Sequence, residues 1–180
     1  MRIRHVLHII GILIAGLGVT MMIAAAVALG YREEDLFSQT VAAGITIGAG
    51  LLIFFLTGRA REKLEISHRG AFAVVTFGWL ACCLFGALPY LLFAHLPAVW
   101  FSDAPQRAQG EGSACEEIIS PPDCDTGKGL GVEFCSFTNS AFESTSGFTT
   151  TGATIIEAGL WKQKESRKGG LPHGLLFWRR

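Results

Sequence analysis

Charge is scarce in this sequence and is missing altogether over long stretches. Asp, Glu, Lys and Arg make up 17% of the 180 residues, 15 basic against 15 acidic, for a formal net charge of zero. Soluble domains usually carry about 25%. Without a basic excess, nucleic acid is not an expected partner. Half the residues are hydrophobic and the mean hydropathy is +0.41, too apolar for disorder over most of the length. The five cysteines form no CxxC pair, so a structural metal site is not expected. A catalytic constellation is also missing. His5, His8, His68, His95 and His173 each stand without a nucleophile or metal partner at a telling spacing, and we expect no enzyme and no cofactor.

What is present is set by where the charges are not. Residues 5–31, 36–57 and 70–102 contain no Asp, Glu, Lys or Arg. About 20 apolar residues span a bilayer core, so these runs predict three membrane-spanning helices, centred on Val6–Leu29, Thr40–Thr57 and Gly70–Leu96. A cleaved leader is the alternative for the first run, with Arg2 and Arg4 at its start and small residues at Ala24–Ala26 and Ala28. Leader cores reach only about 15 apolar residues, and this run is longer. Arg59, Arg61, Lys63 and Arg69 follow the second run, whereas Arg32 is the one base among Glu33, Glu34 and Asp35 after the first. Positive loops face the cytoplasm, which puts the N-terminus and the 58–69 loop inside. Gly44 with Gly48, and Gly11, Ala15, Gly16 and Gly18, are candidate faces for close helix packing.

Residues 97–136 differ in kind. Asp103, Glu111, Glu116, Glu117, Asp123, Asp125 and Glu133 oppose Arg107 and Lys128, a net charge of −5. Gly, Ser and the Pro121–Pro122 pair exclude a regular element there. An external acidic loop is expected, which either raises the local cation concentration or simply stays solvated. Outside the cell one disulfide can form among Cys115, Cys124 and Cys135, and the spacing does not choose the pair. Cys82 and Cys83 read as small apolar residues of the third helix.

The stretch Phe137–Glu157, FTNSAFESTSGFTTTGATIIE, carries the chemistry. Asn139 or Ser140 can cap a short helix, with Phe142 on its apolar side, Glu143 near its first turn and Gly147 at its end. The β-branched run Thr149–Thr151 then favours extended backbone, and Gly152 permits a conformation closed to other residues. A short helix followed by an extended Thr-Thr-Gly segment can turn successive carbonyls inward and replace the water around a dehydrated cation. Such irregular backbone is tolerated at membrane depth only when buried in protein or lining a cavity.

The stretch AFESTSGFTTTGATII resembles the first pore loop of the bacterial Trk/Ktr potassium-uptake proteins, most closely the TrkH type. GWLACCLFGALPYLLF, residues 78–93, resembles the outer helix of that repeat, and LPHGLLFWRR, residues 171–180, the start of its inner helix. The first two helices match the extra N-terminal pair of TrkH-type proteins.

The resemblance implies an all-α integral membrane protein of the bacterial inner membrane. Its K⁺ pore is made of four helix–pore-loop–helix repeats in one polypeptide. The protein is usually dimeric and gated by a TrkA-type cytosolic nucleotide-binding subunit. Carried over by motif, Thr150, Thr151, Gly152 and Ala153 would form one quarter of the selectivity filter, with Phe142, Glu143 and Gly147 as pore-helix scaffold. The implied organisation is a helix pair at 1–58, a basic loop at 59–69, an outer helix at 70–96 and an acidic loop at 97–136. A pore helix and filter at 137–157 and an external turn with the start of an inner helix at 158–180 complete it.

One repeat of four cannot surround an ion, so the 180-residue chain is expected to be a fragment that does not conduct alone. The competing expectation is a small, non-transporting anchor or sensor with an external cysteine-containing loop.

Overall fold

In the computed structural model, residues 3–31, 35–58, 68–96, 124–125, 131–156 and 171–179 are described. Among them every regular element is helical. α1 runs Ile3–Tyr31 and α2 Leu36–Thr57. α3 runs His68–Gly86, α4 Leu88–His95, α5 Phe137–Phe148 and α6 His173–Arg179, with a 3₁₀ turn at Val132–Cys135 ahead of α5.

Three segments are long and apolar enough to cross a membrane: Ile3–Tyr31, Leu36–Thr57 and the α3–α4 stretch His68–His95. The expected three spans are therefore present, each slightly longer than its charge-free centre. Phe72, Val75, Phe77 and Trp79 of α3 and Phe55 and Leu56 of α2 are exposed, which suits side chains that meet lipid rather than water.

α1 and α2 pack antiparallel through small residues. A Cβ on Gly11 would lie 3.0 Å from the Gly50 carbonyl oxygen and the Phe54 amide nitrogen, and one on Gly50 would lie 2.8 Å from Ala15 Cα. Gly18 is closed off in the same way by Ile47 and Ala43. The expected Gly44–Gly48 face takes no part, and neither does Gly16: nothing lies within 4 Å of a Cβ at any of the three. Gly44 and Gly48 fall on the face of α2 opposite Ala42, Ala43, Thr46 and Gly50, the residues turned toward the core. Backbone-to-backbone approach of this kind lets dispersion hold two helices together in a solvent as apolar as they are.

The third span is not one helix. It breaks at Ala87, because Pro89 has no N–H to return to the Phe85 carbonyl and its ring crowds the preceding turn. Side chains of later helices reach carbonyls at this break. Trp178 Nε1 of α6 donates to Gly86 O at 3.0 Å, and Ser144 Oγ of α5 donates to Cys83 O at 2.9 Å.

Among the described residues four apolar clusters fill the interior, the smallest being Ala25, Ala28 and Leu36. Val6, Ile10 and Ile14 meet Ile53 and Val74 at one end, and Leu17, Met21, Ala42 and Ala43 meet Leu88 and Trp178 in the middle. Tyr90, Phe134, Ile156, Leu171 and Leu175 form the third beneath the 3₁₀ turn, with the Tyr90 and Phe134 rings 5.0 Å apart.

Candidate functional site: the α5 helix and the TTTG segment

α5 is anchored before it begins. Cys135, the last residue of the 3₁₀ turn, is joined to Cys124 by a disulfide with its Cα atoms 5.6 Å apart. Of the three candidate cysteines these two pair, and Cys115 lies outside the described residues. His95 Nε2 at the end of α4 lies 3.3 Å from the Cys135 carbonyl. The N-cap is Ser136 in extended conformation, not Asn139 or Ser140. Those two side chains reach back instead: Asn139 Nδ2 donates to Glu133 O at 2.9 Å and Ser140 Oγ to Phe134 O at 3.0 Å. They fasten the first turn of α5 to the chain that enters it.

The far end of α5 is one residue later than Gly147, and it closes in an unexpected way. The helix ends at Phe148, with Thr149 as its C-cap. Thr150 N donates to Gly147 O at 3.1 Å and Thr151 N to Ser146 O at 3.2 Å. This is the Schellman pattern, which normally places glycine at the left-handed position. Here Thr150 holds it, at φ +56°. A β-branched residue there is strained by about 1–2 kcal/mol, and such strain concentrates at functional sites. Gly152 follows at φ +73°, with open space where a Cβ would be. Residues 149–154 are all exposed on this chain.

The buried side of the segment is held from α5 and α6. Ser146 Oγ donates to the Ala153 carbonyl. Glu143 sits in the middle of α5, not in its first turn, and is fully buried. Its carboxylate accepts from Thr154 Oγ1 at 3.0 Å and from the Ile155 amide at 3.2 Å. It also accepts from Arg179 Nε of α6 in an ion pair. Thr154 Oγ1 in turn accepts from the Ile156 amide at 3.0 Å. Phe142, next to Glu143, faces away and is 45% exposed.

Behind this cluster lies a crevice of about 190 Å³, walled by Tyr90, Glu143, Ser144 and Arg179 on its polar side and by Leu17 and Phe148 on its apolar side. Among the described residues no group of three His, Cys, Asp or Glu side chains is arranged to hold a metal.

The structure thus brings Glu143, Gly147 and Thr150–Ala153 together and leaves Phe142 outside. Sequence reasoning missed Arg179, Ser146 and Thr154. Arg179 carried a readable signal, a charge closing the apolar run Leu175–Trp178. The partnership with Glu143, across 36 residues, carried none.

These features define a polytopic all-helical membrane protein with a short helix and an irregular Thr-Gly segment set between longer helices. No family model matches the chain, and no curated protein does. Among solved structures, the crystal structure of the potassium transporter TrkH from Vibrio parahaemolyticus matches with a TM-score of 0.67 at 26% identity, over 99% of this chain. The chain spans 28% of the length of that transporter. The TrkH-type resemblance read from the pore-loop sequence is therefore matched in fold along nearly the whole chain.

Proposed function

We propose that this chain forms the first pore repeat, with two preceding helices, of a K⁺-uptake protein in the bacterial inner membrane. α3 and α4 are its outer helix, α5 its re-entrant pore helix, and α6 the start of its inner helix. The carbonyls of Thr150, Thr151, Gly152 and Ala153 are one quarter of a selectivity filter. The N-terminus and residues 59–69 lie in the cytoplasm, and the 97–136 loop lies outside.

One observation carries this reading. A twelve-residue helix ends in a left-handed Thr150, followed by an exposed Thr-Gly segment with Gly152 also left-handed. Backbone of this kind at membrane depth needs a cavity to line, and a ring of carbonyls around a dehydrated cation supplies the reason for it. The likeness to a potassium transporter supports K⁺ as the ion.

A single segment offers ligands from one side only. The 180 residues alone then do not conduct, and the remaining carbonyls come from further repeats. Following the same resemblance, the working assembly is a dimer gated by a TrkA-type cytosolic nucleotide-binding subunit.

The test is growth of a K⁺-uptake-deficient bacterial strain at low K⁺. The complete reading frame carrying this chain restores growth, and residues 1–180 alone do not. Failure of the complete frame, when it is expressed and membrane-inserted, overturns the K⁺ assignment. Rescue by residues 1–180 overturns the single-quarter argument.

A further inference from the structure

The filter segment is fixed at its start by the helix end at Thr149–Thr151 and at its finish by Glu143. Glu143 is fully buried, so its carboxylate oxygens depend on protein donors in place of water. One donor comes from α6, where Arg179 Nε donates to the same Oε1 atom that accepts from Thr154 Oγ1. Through Glu143, Arg179 is joined to the residues that follow Thr150–Ala153.

We propose that Arg179 is a positioning residue for ion selection. By holding the Glu143 carboxylate in place, it sets the path of Thr154 and Ile155, and thereby the spacing of the carbonyls that precede them. The proposal rests on the pore reading above. It adds that selectivity is set in part by α6, and not by the TTTG segment alone.

The atoms support this reading. An ionised carboxylate accepts up to four hydrogen bonds and donates none. Glu143 uses that capacity on a hydroxyl, a backbone amide and a guanidinium from two separate stretches of chain, Thr154–Ile155 and α6. If the Arg179 guanidinium is removed, the carboxylate is free to turn toward the adjoining crevice, which weakens its hold on Thr154 and Ile155. Ser146, one turn further along α5, holds Ala153 independently, so the effect falls on geometry rather than on whether the segment forms.

The test uses the complete reading frame carrying this chain, reconstituted in liposomes, with K⁺ and Na⁺ fluxes measured for the parent and for Arg179→Gln, Arg179→Lys, Thr154→Val and Gly152→Ser. Supporting shells around ion sites change binding by about tenfold or more when removed. Arg179→Gln is expected to lower the K⁺:Na⁺ flux ratio by about tenfold, while Arg179→Lys, which keeps the charge, stays near the parent. An unchanged ratio in Arg179→Gln, alongside a lowered ratio in Gly152→Ser, overturns the positioning role and leaves the filter where it is. Unchanged ratios in both overturn the two readings together. If Arg179→Gln does not yield folded protein, Thr154→Val decides, since it removes the hydroxyl that joins the segment to Glu143, together with its bond from the Ile156 amide, and strands no charge. A lowered ratio supports the proposal, and an unchanged one overturns it.

Discussion

The carboxylate of Asp35, at the head of α2, accepts a hydrogen bond from the backbone amide of Leu175 in α6 at 3.0 Å, across 140 residues of sequence. Asp35 is fully buried, and Gly174 beside it has no room for a side chain against Asp35 and Ala28. The N-terminal helix pair is thus not an appendage to the helices that follow it. It holds the first turn of the helix that carries Arg179.

Asp35→Ala is therefore expected to loosen α6. Hydrogen bonds to charged groups contribute about 1.5–3 kcal/mol. We expect a clear fall in the thermal midpoint of the detergent-solubilised protein and a smaller fall for Asp35→Asn, which keeps an acceptor. Equal midpoints for Asp35→Ala and the parent would argue that Leu175 is held by other contacts.

A pair of glycines on one helix should behave in opposite ways. A side chain at Gly50 meets the Gly11 carbonyl oxygen and Ala15 Cα at 2.8 Å, whereas one at Gly48 meets nothing within 4 Å. Gly50→Leu is expected to force α1 from α2 and lower stability by about 1–3 kcal/mol. Gly48→Leu should be neutral or gain up to about 1 kcal/mol in helix propensity. Thermal unfolding of the two variants side by side checks this, and similar losses in both would show that the packing face is misplaced.

The disulfide can be counted chemically. In a variant with Cys82, Cys83 and Cys115 replaced by Ser, a thiol reagent added to denatured protein should label nothing before reduction and both remaining cysteines after it. Labelling before reduction would show that Cys124 and Cys135 are not paired. The bridge closes a sequence separation of 11, so Cys124→Ser should cost about 2–3 kcal/mol of stability in the chain-entropy account.

Orientation is tested by reporter fusions. A reporter placed after Thr57 should read as cytoplasmic and one after Asp103 as external. The opposite pair of readings would invert the topology drawn from Arg59, Arg61, Lys63 and Arg69.

The legible parts of this fold were those that a bilayer enforces. A missing charge over the length of a span admits few alternatives, and three spans follow. What stayed hidden depends on which neighbour an element meets. Gly44 and Gly48 have the spacing of a packing face, but α1 lies on the other side of α2. Asn139 and Ser140 have capping chemistry, but their side chains are taken up by Glu133 and Phe134 carbonyls. Pro89 was visible, yet a long apolar run concealed that the helix stops beside it. Within the site, Gly147 was read as the helix end because glycine usually takes the left-handed position, and Thr150 takes it here. Residues 59–67, 97–123, 126–130 and 157–170, with most of the acidic loop and the basic cluster Lys162–Lys168, lie outside the described residues.

The break between α3 and α4 has a consequence for biogenesis. Residues 68–95 leave the ribosome well before Ser144 and Trp178 are made. Until Trp178 arrives, the Gly86 carbonyl lacks the side-chain partner it has in the finished fold, whereas the Cys83 carbonyl already accepts from the Ala87 amide at 3.2 Å. An unsatisfied carbonyl in hydrocarbon is unfavourable by several kcal/mol. The last bonds to the third span are thus available only once the helices on either side of the TTTG segment have been made.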